Sequence, residues 1–357
     1  MKIAFLAPMI DYSGAPKMMI WLANSFAEKK YDITLITYNG PPKNQEINPR
    51  IECKCMGIPL ASNWWKRNTI DLFQTVYSTI KFIQKNKINI IISFTDNVSI
   101  VLLLLRKCLK AKFFISERLD PYTNTGKLDC LRRKCFYYAD AVIFQTEQAR
   151  DYFPEKIKHK SVVIPNPVIS NVKYEKSVQR NNCIVSVGRL DISQKRQDLL
   201  IDAFSMMVKN HFDINLVIYG DGKDKSLLLE QIEKLDLSSR ITLAGVTNNV
   251  YEDIKDARLF VLSSDYEGIP NSLIEAMSMG VPVISTDCSP GGAKFLINNY
   301  ENGIIVPRNN KEELKNAMDY MISHRKEAEA MAEKAMEITK RLDEKVIFYQ
   351  WESLVNV

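Results

Sequence analysis

Residues 260–280 read F-V-L-S-S-D-Y-E-G-I-P-N-S-L-I-E-A-M-S-M-G, and this stretch contains the structural unit that decides the fold. An apolar run typical of a buried strand is followed by a loop with Gly and Pro, and then by a segment whose apolar residues have helical spacing. Two carboxylates, Glu267 in the loop and Glu275 in the helical segment, flank the Gly-x-Pro turn. The pattern predicts a strand–loop–helix unit with one acid in the loop and a second one turn inside the helix.

The same order of strand and helix runs through most of the chain. Helical patterns such as residues 199–208 and 226–235 separate short apolar runs, and this alternation favours an α/β fold with parallel sheets covered by helices on both faces. The runs typical of buried parallel strands are residues 3–7, 33–37, 88–94, 113–116, 141–145, 162–164, 184–187, 216–219, 241–243, 260–262 and 283–285.

A break at residues 165–182, which begin with P-N-P and contain no apolar pattern, divides the alternation into two similar halves. We therefore predict an N-terminal Rossmann-like domain, residues 1–167, and a C-terminal Rossmann-like domain, residues 168–342. Two doubly wound domains facing a central cleft are expected, because ligands of such sheets bind outside the carboxyl ends of the strands. The last segment, residues 343–357, is predicted to be an amphipathic helix that packs on the N-terminal domain, since its apolar residues have helical spacing (Ile347, Phe348, Trp351 and Leu354).

Composition and charge exclude several classes of protein. The 357 residues suffice for two domains with their own cores, and the net charge of +6 indicates an acidic partner without identifying it. The start, M-K-I-A-F-L-A, lacks the pattern of a signal peptide, and the longest fully apolar run, residues 100–105, is too short to span a membrane. The seven cysteines form no C-x-x-C pair, so we expect a reduced, cytoplasmic protein without a zinc site.

The opening stretch contains the first candidate site. We predict that Asn271 or Ser272 caps the helix and that the backbone N–H groups of residues 271–274 form an anion site in the cleft. Glu275 beside this site suits the paired hydroxyls of a ribose, and Glu267 is placed to meet sugar hydroxyls. The alternative interpretation is a solvated loop acid and a surface helix residue.

A second candidate site opens the C-terminal half at residues 186–198, S-V-G-R-L-D-I-S-Q-K-R-Q-D. Arg189 and Lys195 follow a strand, and two cations in such a loop suit the clustered oxygens of a diphosphate. The alternative is a pair of solvated cations. A third loop, Y-G-D-G-K, ends another strand; its Gly220 and Gly222 allow close approach of a nucleotide, although a plain turn explains them equally well.

The loop after the first strand, residues 9–17, reads M-I-D-Y-S-G-A-P-K. It lacks the G-x-G-x-x-G of dinucleotide-binding proteins, which counts against an oxidoreductase. A single Gly leading a helix still brings backbone close to a phosphate or a sugar. Ser13, Gly14 and Lys17 are therefore candidates for contacts to an acceptor in the cleft.

These loops match a family pattern over essentially the whole chain: it resembles the retaining glycosyltransferases of family four, which have the two-domain GT-B fold. The signature is E-x7-E, at Glu267 and Glu275, together with G-R-L-x-x-x-x-K, which contains Arg189 and Lys195. The resemblance implies that Glu267 contacts the donor sugar, that Glu275 binds the ribose, and that the two cations hold the diphosphate and stabilise the leaving group. The remaining residues expected at the donor are Gly268, Ile269, Pro270, Asn271, Ser272 and Leu273.

The resemblance also implies the reaction. A hexose or N-acetylhexosamine would move from a nucleotide sugar, which we expect to be UDP-linked, with retention of the anomeric configuration. Fixed cations and helix N–H groups would stabilise the charge on the departing diphosphate, so no divalent metal and no cofactor is expected. The alternatives are a nucleotide-sugar 2-epimerase of the same fold and a catalytically inactive scaffold subunit.

One segment departs from the family pattern. Many members have a histidine in a segment resembling I-S-E-H, whereas residues 115–118 here read I-S-E-R. We expect Glu117 or Arg118 to take its place at the acceptor. The three histidines of the chain lie outside every motif (His159, His211 and His324).

The segments I-S-E-R, F-T-D (residues 94–96) and G-G-A-K (residues 291–294) resemble bacterial enzymes that extend oligosaccharides on a polyprenyl diphosphate, such as polymerising N-acetylgalactosaminyltransferases of N-glycan assembly. Residues 64–85 occupy the place of a basic amphipathic helix that grips the lipid-linked acceptor. This resemblance implies peripheral binding to the anionic inner face of the cell membrane. The alternative is an ordinary crossover helix, and no nucleic-acid partner is expected. The basic and aromatic residues at the ends of the helix are Trp64, Trp65, Lys66, Arg67, Lys81 and Lys85, and its predicted apolar stripe is Ile70, Phe73, Val76, Tyr77, Ile80 and Ile83.

Overall fold

The computed structural model of the chain describes residues 1–10, 14–42, 46–56, 69–94, 97–123, 126–169, 179–247 and 249–356. The chain divides into two compact units, and each is described by itself. Unit 1 comprises Met1–Asn166 and Lys345–Val357, and unit 2 comprises Pro167–Glu344. Both units are parallel sheets covered by helices, which confirms the predicted α/β class.

Unit 1 contains a seven-stranded sheet with the order β3-β2-β1-β4-β5-β6-β7, and every pair of neighbours is parallel. The strand β4 is buried along its whole length, as expected for a strand covered on both faces. The edge strand β3 was not predicted, because all four of its side chains are exposed and it has no apolar pattern. The strands are β1 (Lys2–Ala7), β2 (Asp32–Thr37), β3 (Glu52–Cys55), β4 (Ile90–Ser93), β5 (Lys112–Ser116), β6 (Ala141–Phe144) and β7 (Ser161–Val163).

Eight helices and one 3-10 turn pack around this sheet in the described part of unit 1. The last of them, α17, buries Ile347, Phe348 and Trp351. The ring of Phe348 lies 5.0 Å from that of Phe26, so this C-terminal helix covers part of the core of unit 1. The helices are α1 (Gly14–Glu28), α2 (Thr69–Asn86), α3 (Asn97–Leu104), α4 (Arg106–Leu109), α5 (Lys127–Cys135), α6 (Glu147–Asp151), α7 (Glu155–Lys158) and α17 (Glu344–Asn356), and the 3-10 turn is Phe136–Tyr138.

Unit 2 contains a six-stranded parallel sheet with the order β10-β9-β8-β11-β12-β13. The edge strand β13 was not predicted from the sequence, although its three residues are apolar. The strands are β8 (Cys183–Val187), β9 (Asn215–Tyr219), β10 (Ile241–Gly245), β11 (Leu259–Leu262), β12 (Val283–Thr286) and β13 (Ile304–Val306). The helices are α8 (Ile192–Lys195), α9 (Gln197–Met207), α10 (Lys225–Lys234), α11 (Val250–Ile254), α12 (Asn271–Ser278), α13 (Gly292–Leu296), α14 (Lys311–Ser323), α15 (Arg325–Ala335) and α16 (Ile338–Arg341).

The strand order of unit 2 reverses beside β8. The chain continues from β8 to β9 and β10 on one side, and then returns to place β11 on the other side. At such a switch point the loops after the two central strands diverge and leave a crevice at their carboxyl ends, where ligands of open α/β sheets bind. The loops after β8 and β11 contain most of the predicted donor-site residues, while the predicted Gly220 and Gly222 follow β9.

None of the helices in the described ranges combines the length and the apolar character that a membrane span requires.

Candidate functional site

The loops after β8 and β11 are joined by hydrogen bonds. The Asp265 backbone N–H donates to the Gln194 carbonyl oxygen over 2.9 Å, and the Ser263 hydroxyl donates to the Lys195 carbonyl oxygen over 2.8 Å. The Gln194 side-chain amide donates to the Tyr266 carbonyl oxygen over 3.2 Å. These bonds bring together two segments that are about seventy residues apart in the sequence.

Lys195 and Glu267 form an ion pair where these loops meet. The Lys195 ammonium donates to Glu267 Oε1, and the Ser264 hydroxyl donates to the same oxygen over 2.8 Å. The two charged side chains are only 17% and 11% exposed, so water screens the pair weakly. The site therefore holds a cation and a carboxylate in a defined position at the switch point. Ser264 was not predicted to belong to the site. Its position three residues before Glu267 was the only sequence feature that could have indicated it.

Arg189 has a different environment from Lys195. Its side chain is 65% exposed and lies 3.9 Å from Asp191, while its guanidinium donates to Gln194 Oε1 over 3.1 Å. The two cations predicted to act together thus have separate partners: those of Arg189 lie in its own loop, whereas Glu267, the partner of Lys195, lies in the loop after β11.

The two glycines of the third loop pack against the loop that contains Arg189. A Cβ atom on Gly220 would lie 1.9 Å from the Gly188 carbonyl oxygen, and one on Gly222 would lie 2.2 Å from that of Leu190. The Leu190 N–H donates to the Asp221 carbonyl oxygen over 3.0 Å. Close backbone packing accounts for both glycines, because any side chain would push the loops apart.

The helix α12 begins at Asn271 with Pro270 as its N-cap, and no side chain caps it. The prediction that Asn271 or Ser272 is the cap is wrong, because both residues already lie within the helix. The N–H groups of Leu273 and Ile274 donate to the Pro270 carbonyl oxygen, each over 3.2 Å, so they do not all point at a ligand as predicted.

The side chains of the predicted donor-site segment fall into two groups. Those of Ile269 and Leu273 are buried in the core, which leaves only the backbone of these two residues for a ligand. Gly268, Asn271, Ser272 and Glu275 are partly exposed at the carboxyl end of the sheet.

A segment that was not assigned to the donor site supports the Glu267 loop from behind. The Glu267 N–H donates to the Ser289 carbonyl oxygen over 2.7 Å, and a Cβ atom on Gly292 would lie 1.9 Å from the Gly268 carbonyl oxygen. The buried Cys288 lies in the same segment, where burial and then the charge of Glu267 raise the pKa of its thiol to about 12. The thiol therefore stays protonated near neutral pH. The adjacent glycines Gly291 and Gly292 were the only sequence signal that this segment packs against the Glu267 loop.

The predicted acceptor residues Ser13, Lys66 and Arg67 lie outside the described ranges, and so do Trp64 and Trp65. Gly14 and Lys17 lie in the first turn of α1, at the carboxyl end of β1. Gly14 is exposed and Lys17 is partly exposed.

The carboxylate of Glu117 points into unit 1. It accepts from the Leu119 N–H over 2.9 Å and lies 3.4 Å from the Arg132 guanidinium, and the residue is only 2% exposed. Burial raises the pKa of Glu117 and Arg132 opposes that shift. Glu117, one of the two residues expected to replace the family histidine, is thus buried in unit 1 beside Arg132.

Arg118 is partly exposed, and three contacts hold its guanidinium. It donates to the Ser116 hydroxyl over 2.9 Å and to Asn166 Oδ1, and it lies 4.2 Å from the centre of the Phe94 ring. Desolvation lowers the pKa of this guanidinium. Of this pair, Arg118 is thus the residue that is partly exposed, with its guanidinium engaged by neighbours in unit 1.

The helix α2 divides its predicted apolar stripe between core and surface. Val76 and Ile83 are buried, whereas Phe73 and Tyr77 are 72% and 59% exposed. The Lys81 ammonium lies 4.5 Å above the Tyr77 ring. The outer face of α2 therefore carries aromatic and basic side chains that a simple crossover helix does not need.

The chemistry of the donor-site residues is that of anion and hydroxyl binding. The guanidinium of Arg189 and the ammonium of Lys195 are the kind of cation that pairs with phosphate oxygens, and the carboxylates of Glu267 and Glu275 are the kind of acceptor that takes hydrogen bonds from sugar hydroxyls. Within the parts of the chain that the structure describes, no three His, Cys, Asp or Glu side chains are grouped as metal ligands.

Comparison with known proteins finds glycosyltransferases among the relatives of this chain. Residues 170–338 match the family model of the group 1 glycosyl transferases. The chain is 33% identical over 252 residues to "Uncharacterized glycosyltransferase MJ1059" of Methanocaldococcus jannaschii, an alignment that covers 63% of this chain and 62% of that protein. It is 22% identical over 358 residues to the "GalNAc-alpha-(1->4)-GalNAc-alpha-(1->3)-diNAcBac-PP-undecaprenol alpha-1,4-N-acetyl-D-galactosaminyltransferase" of Campylobacter jejuni, covering 99% of this chain and 98% of that one.

A solved structure has the same fold. The structure of Anabaena Alr3699/HepE in complex with UDP-glucose superposes with a TM-score of 0.84 at 18% identity, and the match covers 100% of both chains. This likeness confirms the predicted GT-B fold. The family model over residues 170–338 and the named relatives confirm the resemblance of the chain to the glycosyltransferases.

Proposed function

We propose that this glycosyltransferase moves a hexose or an N-acetylhexosamine from a UDP-sugar to a lipid-linked oligosaccharide or a surface-polysaccharide precursor, with retention of configuration. The single observation that supports this most strongly is the Lys195–Glu267 ion pair at the switch point of the unit 2 sheet. It places a phosphate-binding cation beside an acceptor for sugar hydroxyls, as a sugar–diphosphate donor requires.

In this proposal Lys195 and Arg189 bind the donor diphosphate, Glu267 binds the sugar and Glu275 the ribose. The bond between the anomeric carbon and the phosphate oxygen breaks, and the acceptor oxygen bonds to that carbon from the same face. The acceptor proton passes to the departing phosphate, so no protein base is needed. The two cations stabilise the charge on the diphosphate as it forms, which is the role that a divalent metal would otherwise have.

The comparisons support the choice of substrates. The Anabaena neighbour binds UDP-glucose, and the Campylobacter relative is named for a substrate linked to undecaprenol through a diphosphate. By analogy we propose a UDP-sugar donor and a polyprenyl-diphosphate-linked acceptor that binds to unit 1, where Gly14, Lys17 and Arg118 are the candidates among the described residues.

A membrane-bound acceptor calls for a surface that binds lipid. On unit 1, Phe73 and Tyr77 of α2 are exposed, and so are Leu104 at the end of α3 and Leu105 after it. Residues 97–116 contain no carboxylate and three exposed lysines (Lys107, Lys110 and Lys112), while Arg106 in the same segment pairs with Asp140. Exposed apolar and basic side chains together suit an anionic membrane surface, so we propose peripheral binding through this region.

Transfer itself is the test. UDP-sugars that raise the melting temperature of the protein would be offered with polyprenyl-diphosphate-linked oligosaccharides, and the anomeric configuration of the product would be read by NMR. We expect transfer with retention. Inversion would refute the mechanism, and conversion of UDP-N-acetylglucosamine to its 2-epimer without transfer would show the epimerase alternative to be correct.

A further inference from the structure

Arg196, which directly follows Lys195, has a left-handed backbone conformation. Its φ is +50° and its ψ is 43°, and it separates the end of α8 from the start of α9. A residue with a Cβ atom is disfavoured in this region, where glycine would be accommodated without strain. The arginine side chain must therefore contribute something that glycine lacks.

That side chain joins three segments of unit 2. It donates to both carboxylate oxygens of Asp198, over 3.1 and 3.2 Å, at the start of α9. It also donates to Asp265 Oδ2 over 3.1 Å, in the loop after β11, and to Asn309 Oδ1, in the loop after β13. Its side chain is only 20% exposed. The guanidinium thus links the loops after β8, β11 and β13 at one end of the sheet.

Two ion pairs consequently join the same two loops side by side. Arg196 binds Asp265, and the preceding residue, Lys195, binds Glu267, two residues after Asp265. We propose that Arg196 is a positioning residue for the transfer reaction: it holds the Lys195 ammonium and the Glu267 carboxylate where the donor needs them, without touching the donor itself. This inference rests on the proposed function.

The substitution Arg196→Gly tests the side chain alone, since glycine keeps the left-handed backbone without strain. We expect kcat to fall about tenfold or more, because displacements of well under 1 Å already matter for reacting groups, while the donor KM stays within about twofold. Arg196→Lys should recover part of kcat, since lysine keeps the charge opposite Asp265 but loses the paired bonds to Asp198.

A matched control is Arg240→Ala. Arg240 also joins separate segments of unit 2, since it donates to Asn215 Oδ1 over 2.9 Å and to the Ile214 carbonyl oxygen, but these lie at the amino ends of the strands. This variant should lower the melting temperature at least as much as Arg196→Gly does, and it should leave kcat near the wild-type value.

A double-mutant cycle with Lys195→Ala separates positioning from a general loss of stability. If Arg196 acts through Lys195 and Glu267, then Arg196→Gly should lower kcat by a smaller factor in the Lys195→Ala background than in the wild type. Two results would overturn this inference: independent, multiplicative losses in the double mutant, or an unchanged kcat in Arg196→Gly. Neither would affect the proposed function, provided that the wild-type protein transfers the sugar. Absence of transfer by the wild-type protein would overturn both.

Discussion

The substitution Gly292→Ala tests whether the position of the Glu267 loop controls turnover. An added Cβ atom would lie 1.9 Å from the Gly268 carbonyl oxygen, whereas real Cβ contacts stay beyond 3.0 Å, so the backbone must move by about 1.1 Å. Gly292 is not among the glycines with positive φ, so the effect is steric and not a matter of backbone strain. Gly268 follows Glu267 directly, and the displacement therefore falls on the proposed sugar-binding carboxylate.

A misplacement of about 1 Å typically costs about a hundredfold in rate, so we expect kcat to fall by about that factor. Overpacking should also cost about 1–3 kcal/mol of stability, which leaves a folded protein at low temperature. Initial rates of sugar transfer measure the first effect, and thermal unfolding measures the second.

The matched control for Gly292→Ala is Gly126→Ala in unit 1. Its added methyl group meets only the end of the Asp129 side chain, at 3.1 Å, and the φ of Gly126 is −59°. This variant should keep its rate within about twofold, as surface substitutions usually do. Wild-type kcat in a folded Gly292→Ala protein would refute the reasoning, because the loop would then accept the methyl group without displacing Glu267.

Three further predictions concern the donor site. Arg189→Ala or Lys195→Ala should lower kcat about a hundredfold or more, the usual effect of losing one contact to a developing negative charge, and unchanged rates in either variant would remove that residue from the diphosphate site. Glu275→Ala should mainly weaken UDP binding, because ribose contacts exist in the ground state and the transition state alike, whereas Glu267→Ala should lower kcat more than affinity; calorimetry that finds unchanged UDP affinity in Glu275→Ala would contradict the ribose role. Transfer should continue in EDTA, since protein cations bind the diphosphate, and complete loss that magnesium or manganese restores would contradict the proposed metal-free reaction.

Sedimentation with lipid vesicles tests the proposed peripheral membrane binding. The exposed lysines Lys107 and Lys110 follow α3, and each basic residue near an anionic surface contributes about 1 kcal/mol. Lys107→Glu/Lys110→Glu should therefore weaken sedimentation with vesicles that contain anionic lipid and leave donor binding unchanged. Equal sedimentation of this variant and the wild type would place the lipid-binding surface elsewhere.

The sequence by itself determined the fold class and the two loops of the donor site. All eleven predicted strands are present, and most of them are apolar runs buried on both faces, whose pattern does not depend on context. Residue patterns placed Lys195 and Glu267 in two separate candidate sites after two strands, and only the family resemblance assigned both to one donor; their direct contact follows from the adjacency of β8 and β11, whose carboxyl ends meet at one edge of the sheet. The exposed strand Glu52–Cys55 escaped prediction because an edge strand needs no apolar pattern.

Only the tertiary structure decided how these residues share their contacts. Lys195 pairs with Glu267 and Arg196 with Asp265, Gly292 packs on the Gly268 carbonyl, and Glu117 turns toward Arg132 in the interior. Local periodicity states which face of an element is buried, but it carries no information on which charged group from a distant loop lies opposite another. Those contacts depend on the positions of whole strands and loops, and such positions exist only once the sheet has formed.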